Sequence, residues 1–253
     1  MHLFLSPHLD DAVLSCGGKI HQLAQQGQAV TILTIMAGDP PSQPPDTPIV
    51  RDLHQRWQAG YNPAEARRRE DMNAAHRLGA QAIHLPIGDC VYRTIERDGE
   101  TLALYPSEES LFGEVSPDDP AMTALEALTL PHADVIYVPM GVGHHVDHQL
   151  VRDWGMTLAK PNRTTLKFYE EYPYINATME IDRALAFYQG RLKPEMLLLD
   201  ESSVQAKIEG IALYSSQIST WWSNLEDMEA ATRQSMLLKG EGRPAERFWV
   251  LEQ

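Results

Sequence analysis

Two clusters of imidazole and carboxylate side chains, far apart in the chain, carry the chemistry this sequence can do. The first is Pro7-His8-Leu9-Asp10-Asp11 and the second His144-His145-Val146-Asp147-His148. A catalytic zinc ion takes three nitrogen or oxygen ligands from the protein and keeps one position open. His8 and Asp11, three residues apart across a turn, can supply two of them. His148 can supply the third, and His144 reads as a bystander. Asp10 is then placed to act as a general base toward water activated by the metal. His145 can steady the negative charge that develops or protonate the leaving amine, and Asp147 can fix the tautomer of His145. Together these side chains suit hydrolysis of an unactivated amide.

For the two clusters to meet, each must sit at the same end of a strand in one sheet. Leu3, Phe4 and Leu5 suit a buried strand, and the stretch from Asp11 to about Gln26 puts Val13, Leu14, Ile20, Leu23 and Ala24 on one helical face. The first cluster therefore falls on a strand-to-helix turn. Asp134 to Pro139 reads as another buried strand, leading into the second cluster and a helix that ends near Ala159. Further strands are expected at 29–36, 82–87, 166–171, 196–199 and 247–251. Helices are expected at 63–78, 120–130, 202–214 and 224–238. Asp98-Gly99 predicts a hairpin turn in an excursion from the sheet. This alternation predicts a single α/β domain over residues 1–253, a Rossmann-like and mainly parallel sheet flanked by helices. In such sheets ligands bind beyond the carboxyl ends of the strands. The proline-rich stretch 37–63 and the excursion 90–120 are expected to shape substrate choice.

The 253 residues carry 21 basic and 35 acidic side chains, a formal charge of −14, which argues against binding nucleic acid or an anionic membrane. No export signal or spanning segment is apparent, so a cytoplasmic location is expected. Cys16 and Cys90 are too few for a disulfide scaffold and read as small buried residues.

The His8 motif resembles the (A/S)HxDD signature of the PIG-L or LmbE-like family of zinc-dependent N-deacetylases, and His145-Val146-Asp147-His148 is similar to its HxDH partner. Arg67-x-x-Glu70 with Leu78-Gly79, Asp89, and Lys207 with Tyr214-Ser215-Ser216-Gln217 resemble further family segments. The resemblance implies one zinc ion, or another divalent ion, held by His8, Asp11 and His148, with Asp10 as base and His145 as electrostatic or acid partner. It implies removal of an acetyl or other acyl group from an amino sugar or glycoconjugate, a small-molecule partner, with Arg67 and Asp89 as candidate substrate contacts. Simpler readings stand beside these. Asp10 or Asp11 could only cap a helix. Arg67 could lie on a solvated face, Asp89 could be a turn residue, and Trp57, Tyr61, Tyr92, Trp221 and Trp222 could be packing rather than sugar platforms. A two-metal esterase or phosphoesterase, and a non-catalytic glycan or metal-binding module, are the rival functions.

Overall fold

A computed structural model describes residues 1–57, 63–159, 164–177 and 179–252. The chain runs β1 (His2–Ser6), α1 (Asp11–Gln25), β2 (Val30–Thr34), α2 (Pro48–Trp57), α3 (Pro63–Leu78), β3 (Gln81–His84), then the hairpin β4 (Thr94–Arg97) and β5 (Glu100–Ala103). It continues through α4 (Glu108–Leu111), α5 (Pro120–Glu126), β6 (Val135–Pro139), α6 (Val146–Ala159), β7 (Thr165–Tyr169) and α7 (Glu180–Phe187). It closes with β8 (Leu192–Leu198), α8 (Glu201–Ala212), α9 (Ile218–Trp221), α10 (Leu225–Lys239) and β9 (Ala245–Leu251).

Seven of these strands form one sheet in the order β3-β2-β1-β6-β7-β9-β8. All neighbours are parallel except β9, which is antiparallel to β7 and to β8. This is the mainly parallel α/β sheet that the sequence predicts. β1 and β2 are buried along almost their whole length, which is why they read as continuous apolar runs. One apolar cluster joins α1, α3 and α8 to Phe4, Ile32 and Phe248, and another joins α6 to Leu5, Val138 and Phe168. Among the described residues no helix is long and apolar enough to cross a membrane.

The strand order reverses between β1 and β6, where Leu3 pairs with Ile136 and Phe4 with Tyr137. The chain leaving β1 turns toward β2 and the chain leaving β6 turns toward β7. A crevice opens at their carboxyl ends, and both polar clusters lie there.

Several elements differ from expectation for local reasons. The stretch 37–63 holds a helix, α2, that its prolines conceal. β3 ends at His84 because Pro86 has no N–H to donate, and Pro86 makes only an isolated bridge to Met36. β8 is seven residues long rather than four, since Pro194 and the charges around it are tolerated on an edge strand. The hairpin turn at Asp98-Gly99 forms with both φ angles positive (55° and 81°), as expected.

Candidate active site

The turn after β1 is built so that its carboxylates are not spent on capping. Asp10 stands at the N-cap of α1 yet makes no side-chain capping bond. The hydroxyl of Ser6 does that work, accepting from Ala12 N–H at 3.0 Å while donating to the His8 carbonyl at 2.7 Å. Asp11 Oδ2 accepts from His8 N–H at 2.9 Å. Asp10 is held at φ 155°, a conformation that side-chain-bearing residues rarely adopt. Its carboxyl is buried and lies 3.8 Å from Arg67 Nη2.

Across the crevice α6 begins at Val146 and delivers His148. Asp11 Oδ2 lies 3.2 Å from His8 Nδ1 and 3.3 Å from His148 Nε2, so one carboxylate oxygen sits between two ring nitrogens. His148 Nε2 is buried without a hydrogen bond. Its other nitrogen, Nδ1, faces Glu171 Oε1 at 3.3 Å. The ring of His145 stands edge-on to His8 (5.0 Å) and lies 5.3 Å from His148, and the three histidines offer nitrogens within 4.8 Å of one another.

The structure thus brings His8, Asp10, Asp11, Asp89, Arg67, His145, Asp147 and His148 to one place. One pairing differs from the sequence reading. The carboxylate of Asp147 does not meet the His145 ring; its Oδ2 lies 3.0 Å from His8 Nε2 and accepts from Cys90 N–H at 3.1 Å. Arg93 forms an ion pair with the same carboxylate and also binds Asp119 at 2.6 Å. It is the backbone N–H of Asp147 that donates to His145 Nδ1, at 3.3 Å. Asp147 is the second residue of α6, and its side chain reaches across to His8 while its amide stays beside its own neighbour.

Burial, together with the charge of Asp11, pushes the Asp10 carboxyl up to about 7, against the pull of Arg67 and His8. Burial and the charges of His8 and His148 hold His145 well below the ordinary histidine value, so its ring is neutral. For His148 burial acts downward, but Asp11 and Glu171 outweigh it and raise the ring to about 9.

The site opens into a cavity of about 560 Å³. Its floor is His8, Asp10, Asp11 and His145, and Arg67 and Asp89 also line it. Arg67 is therefore turned inward, donating to the Leu9 carbonyl at 3.4 Å, and is not on a solvated face. Asp89 lies 3.9 Å from His8 Nε2 and also accepts from Val91 N–H, so it serves the turn and the cavity together. The roof comes from the two stretches the sequence left undecoded: Ile49 and Leu53 of α2, and Leu111 and Phe112 around α4. Cys16 and Cys90 are free and buried. Trp221 lines the cavity wall; Trp222 and Tyr92 pack against Tyr172 and His54. Tyr61 and the Trp57 side chain lie outside the described residues.

Sequence reading did not single out three groups that serve this site. Glu171, besides facing His148, accepts from the backbone N–H groups of Met140, Gly141 and Val142 at 3.2, 2.7 and 3.1 Å. The only signal was an acidic pair, Glu170-Glu171, closing an apolar strand. Arg93 was hidden in the excursion. Tyr174 lies edge-on to His148 at 5.7 Å and packs on Gly143, where an added Cβ would come within 2.8 Å of its ring.

The PIG-L family profile, described as GlcNAc-PI de-N-acetylase, matches residues 3–159, a span that holds both clusters. The chain belongs to the PIG-L family of N-deacetylases. A 2'-N-acetylparomamine deacetylase from Streptomyces fradiae is 30% identical over 85% of this chain and 72% of its own. A protein of the same name from Niallia circulans is 30% identical over 68% of this chain and 66% of its own. Among solved structures, a deacetylase–teicoplanin complex covers 100% of this chain and 99% of its own at 24% identity with a TM-score of 0.75, which shows the LmbE-like fold. The later PIG-L-like segments have structural roles here. Lys207 ties Glu246 to the Ser15 carbonyl behind α1, and Tyr214 donates to Asp71 at 2.6 Å. Glu70 binds Ser215 and Ser216, anchoring the approach to α9.

Proposed function

We propose that this PIG-L protein removes the N-acetyl, or another N-acyl, group from an amino sugar or amino-sugar conjugate. The reaction uses one divalent ion, zinc foremost, held by His8, Asp11 and His148. Two imidazoles and a carboxylate are a donor set suited to zinc, and the buried His148 Nε2, lacking a hydrogen bond, is the atom such an ion would satisfy. Bound zinc supplies Lewis acidity toward the amide carbonyl and acidifies water.

The observation that carries this reading is Asp10, a buried carboxylate with no capping role beside those three donors. Asp10 accepts the proton of the attacking water and holds it for the next step. His145 Nδ1 is occupied by the Asp147 amide, which leaves the hydrogen on Nε2 and makes a neutral donor for the developing oxyanion. The nitrogen that leaves must then take its proton from Asp10, since a neutral His145 has none to spare. The substrate class follows the names of the relatives, 2'-N-acetylparomamine deacetylases, and the family description.

Asp10→Asn is the direct test. Zinc content should stay at one per chain while acetate release from N-acetylated amino sugars falls by about 10²–10⁴-fold. Unchanged turnover would remove Asp10 from the mechanism, and two zinc ions per chain would favour a bridged esterase or phosphoesterase site instead. Treatment with a chelator should abolish turnover, and added zinc should restore it.

A further inference from the structure

We infer that the shallow dish beyond Trp221 is a second sugar subsite, which holds the next ring of a substrate whose N-acyl group lies in the catalytic cavity. This rests on the deacetylase reading above. α9 stands as a ridge between the two spaces, and Thr220 and Trp221 line both.

The lining of the dish has the chemistry of a sugar site. Trp221 is 39% exposed although large and apolar, and its ring is fixed edge-on against Tyr174 at 5.2 Å. Trp222 is fixed in turn over Tyr172, at 6.0 Å and 26°. Fixed indoles offer the apolar face of a pyranose a platform at low entropic cost. Ser219 and Ser223 add hydroxyls. Asp227 adds an exposed carboxylate that has no hydrogen bond or ion pair through its side chain among the described residues, a match for a hydroxyl or an ammonium group. Asp227 shares the α10 side of the dish with two small residues, Ala230 and Ala231, so a ring has room. The ridge itself is anchored, because Glu70 holds Ser215 and Ser216 just before it.

The test compares the zinc-loaded full chain with its Ala230→Trp and Asp227→Ala variants. Both positions are exposed and neither lines the catalytic cavity. Hydrolysis of N-acetylglucosamine and of its β-1,4-linked disaccharide is followed by acetate release. The wild type should prefer the disaccharide in kcat/KM by about tenfold, the size expected of one added aromatic contact. Ala230→Trp should erase that preference and leave monosaccharide turnover unchanged, with Asp227→Ala losing part of it. Equal efficiency toward both sugars in the wild type, or a preference that survives Ala230→Trp, overturns the subsite while deacetylation stands. If the wild type hydrolyses neither sugar, these two sugars are removed from the proposed substrates. Calorimetric binding of the two sugars then decides the subsite: tighter binding of the disaccharide, lost in Ala230→Trp, supports it, and equal or absent binding overturns it.

Discussion

Glu171 stands to His148 as Asp147 stands to His8: each carboxylate engages one ring nitrogen and leaves the other facing Asp11. His145 alone of the three histidines has no carboxylate on its ring, which separates a donor of a neutral N–H from two rings poised for an ion. Glu171→Gln should weaken zinc binding by about 10–100-fold in competition with a chelator, and it should lower the melting temperature as well, because three backbone amides lose an anionic acceptor. Tyr174 presents a different case. Every other described tyrosine has a hydrogen-bond partner for its hydroxyl, from Tyr92 on His54 to Tyr214 on Asp71, whereas Tyr174 lines the cavity with no partner for its own among the described residues. Tyr174→Phe keeps the ring on Gly143 and should leave zinc content and melting temperature unchanged. A fall in kcat/KM of about tenfold is expected if the hydroxyl meets the substrate, the value of one hydrogen bond; a fall in stability instead would mean that it only packs.

Helix α6 positions half of the site, and its seat on the sheet is close. An added Cβ at Gly155 would come within 2.4 Å of Val138 Cγ1 and 3.2 Å of Leu5 Cδ1. Gly155→Ala should therefore destabilise the fold by about 1–3 kcal/mol, read from denaturant unfolding, and weaken zinc binding as His148 shifts with the helix. β1, β2 and β6 announced themselves because strands covered on both faces are apolar throughout, and α3 and α10 because their ends carry clear turn chemistry. The meeting of the two clusters followed from the fact that both close a parallel strand. α2 was obscured because Pro44 and Pro45 precede it, Pro48 opens it, and its periodicity is short. The role of Asp147 was misdirected because sequence places it next to His145, while its partner His8 arrives from β1 through pairing that only the folded sheet supplies. Glu171 and Arg93 act through contacts between segments far apart in the chain, which no local pattern encodes.

Across the whole molecule the junction of β7 and β9 depends on a second buried charge cluster, built on the neighbour of Glu171. Glu170 receives Trp249 Nε1 at 2.8 Å, forms an ion pair with Lys239 at 2.8 Å, and also pairs with Arg247. Burial acts to raise its pKa, and the two cations outweigh burial, so the folded value is lowered. A lowered carboxylate stabilises the fold above the ordinary glutamate range, and that contribution is lost as pH falls through the folded value. Glu170→Gln should thus cost stability at neutral pH and flatten the loss of melting temperature between about pH 5 and 3, as scanning calorimetry would show. The covering of the cavity has another arrangement. Val50, Val91, Tyr92, Tyr105 and Leu111 form their own small apolar cluster, which includes Val146 at the start of α6. The ion-holding groups hang from β1 and β6, whereas the canopy over them is assembled from inserted segments with their own interior. Exchange of the canopy between relatives is accordingly open to evolution and to engineering, with the hydrolytic apparatus left in place beneath a remodelled vestibule.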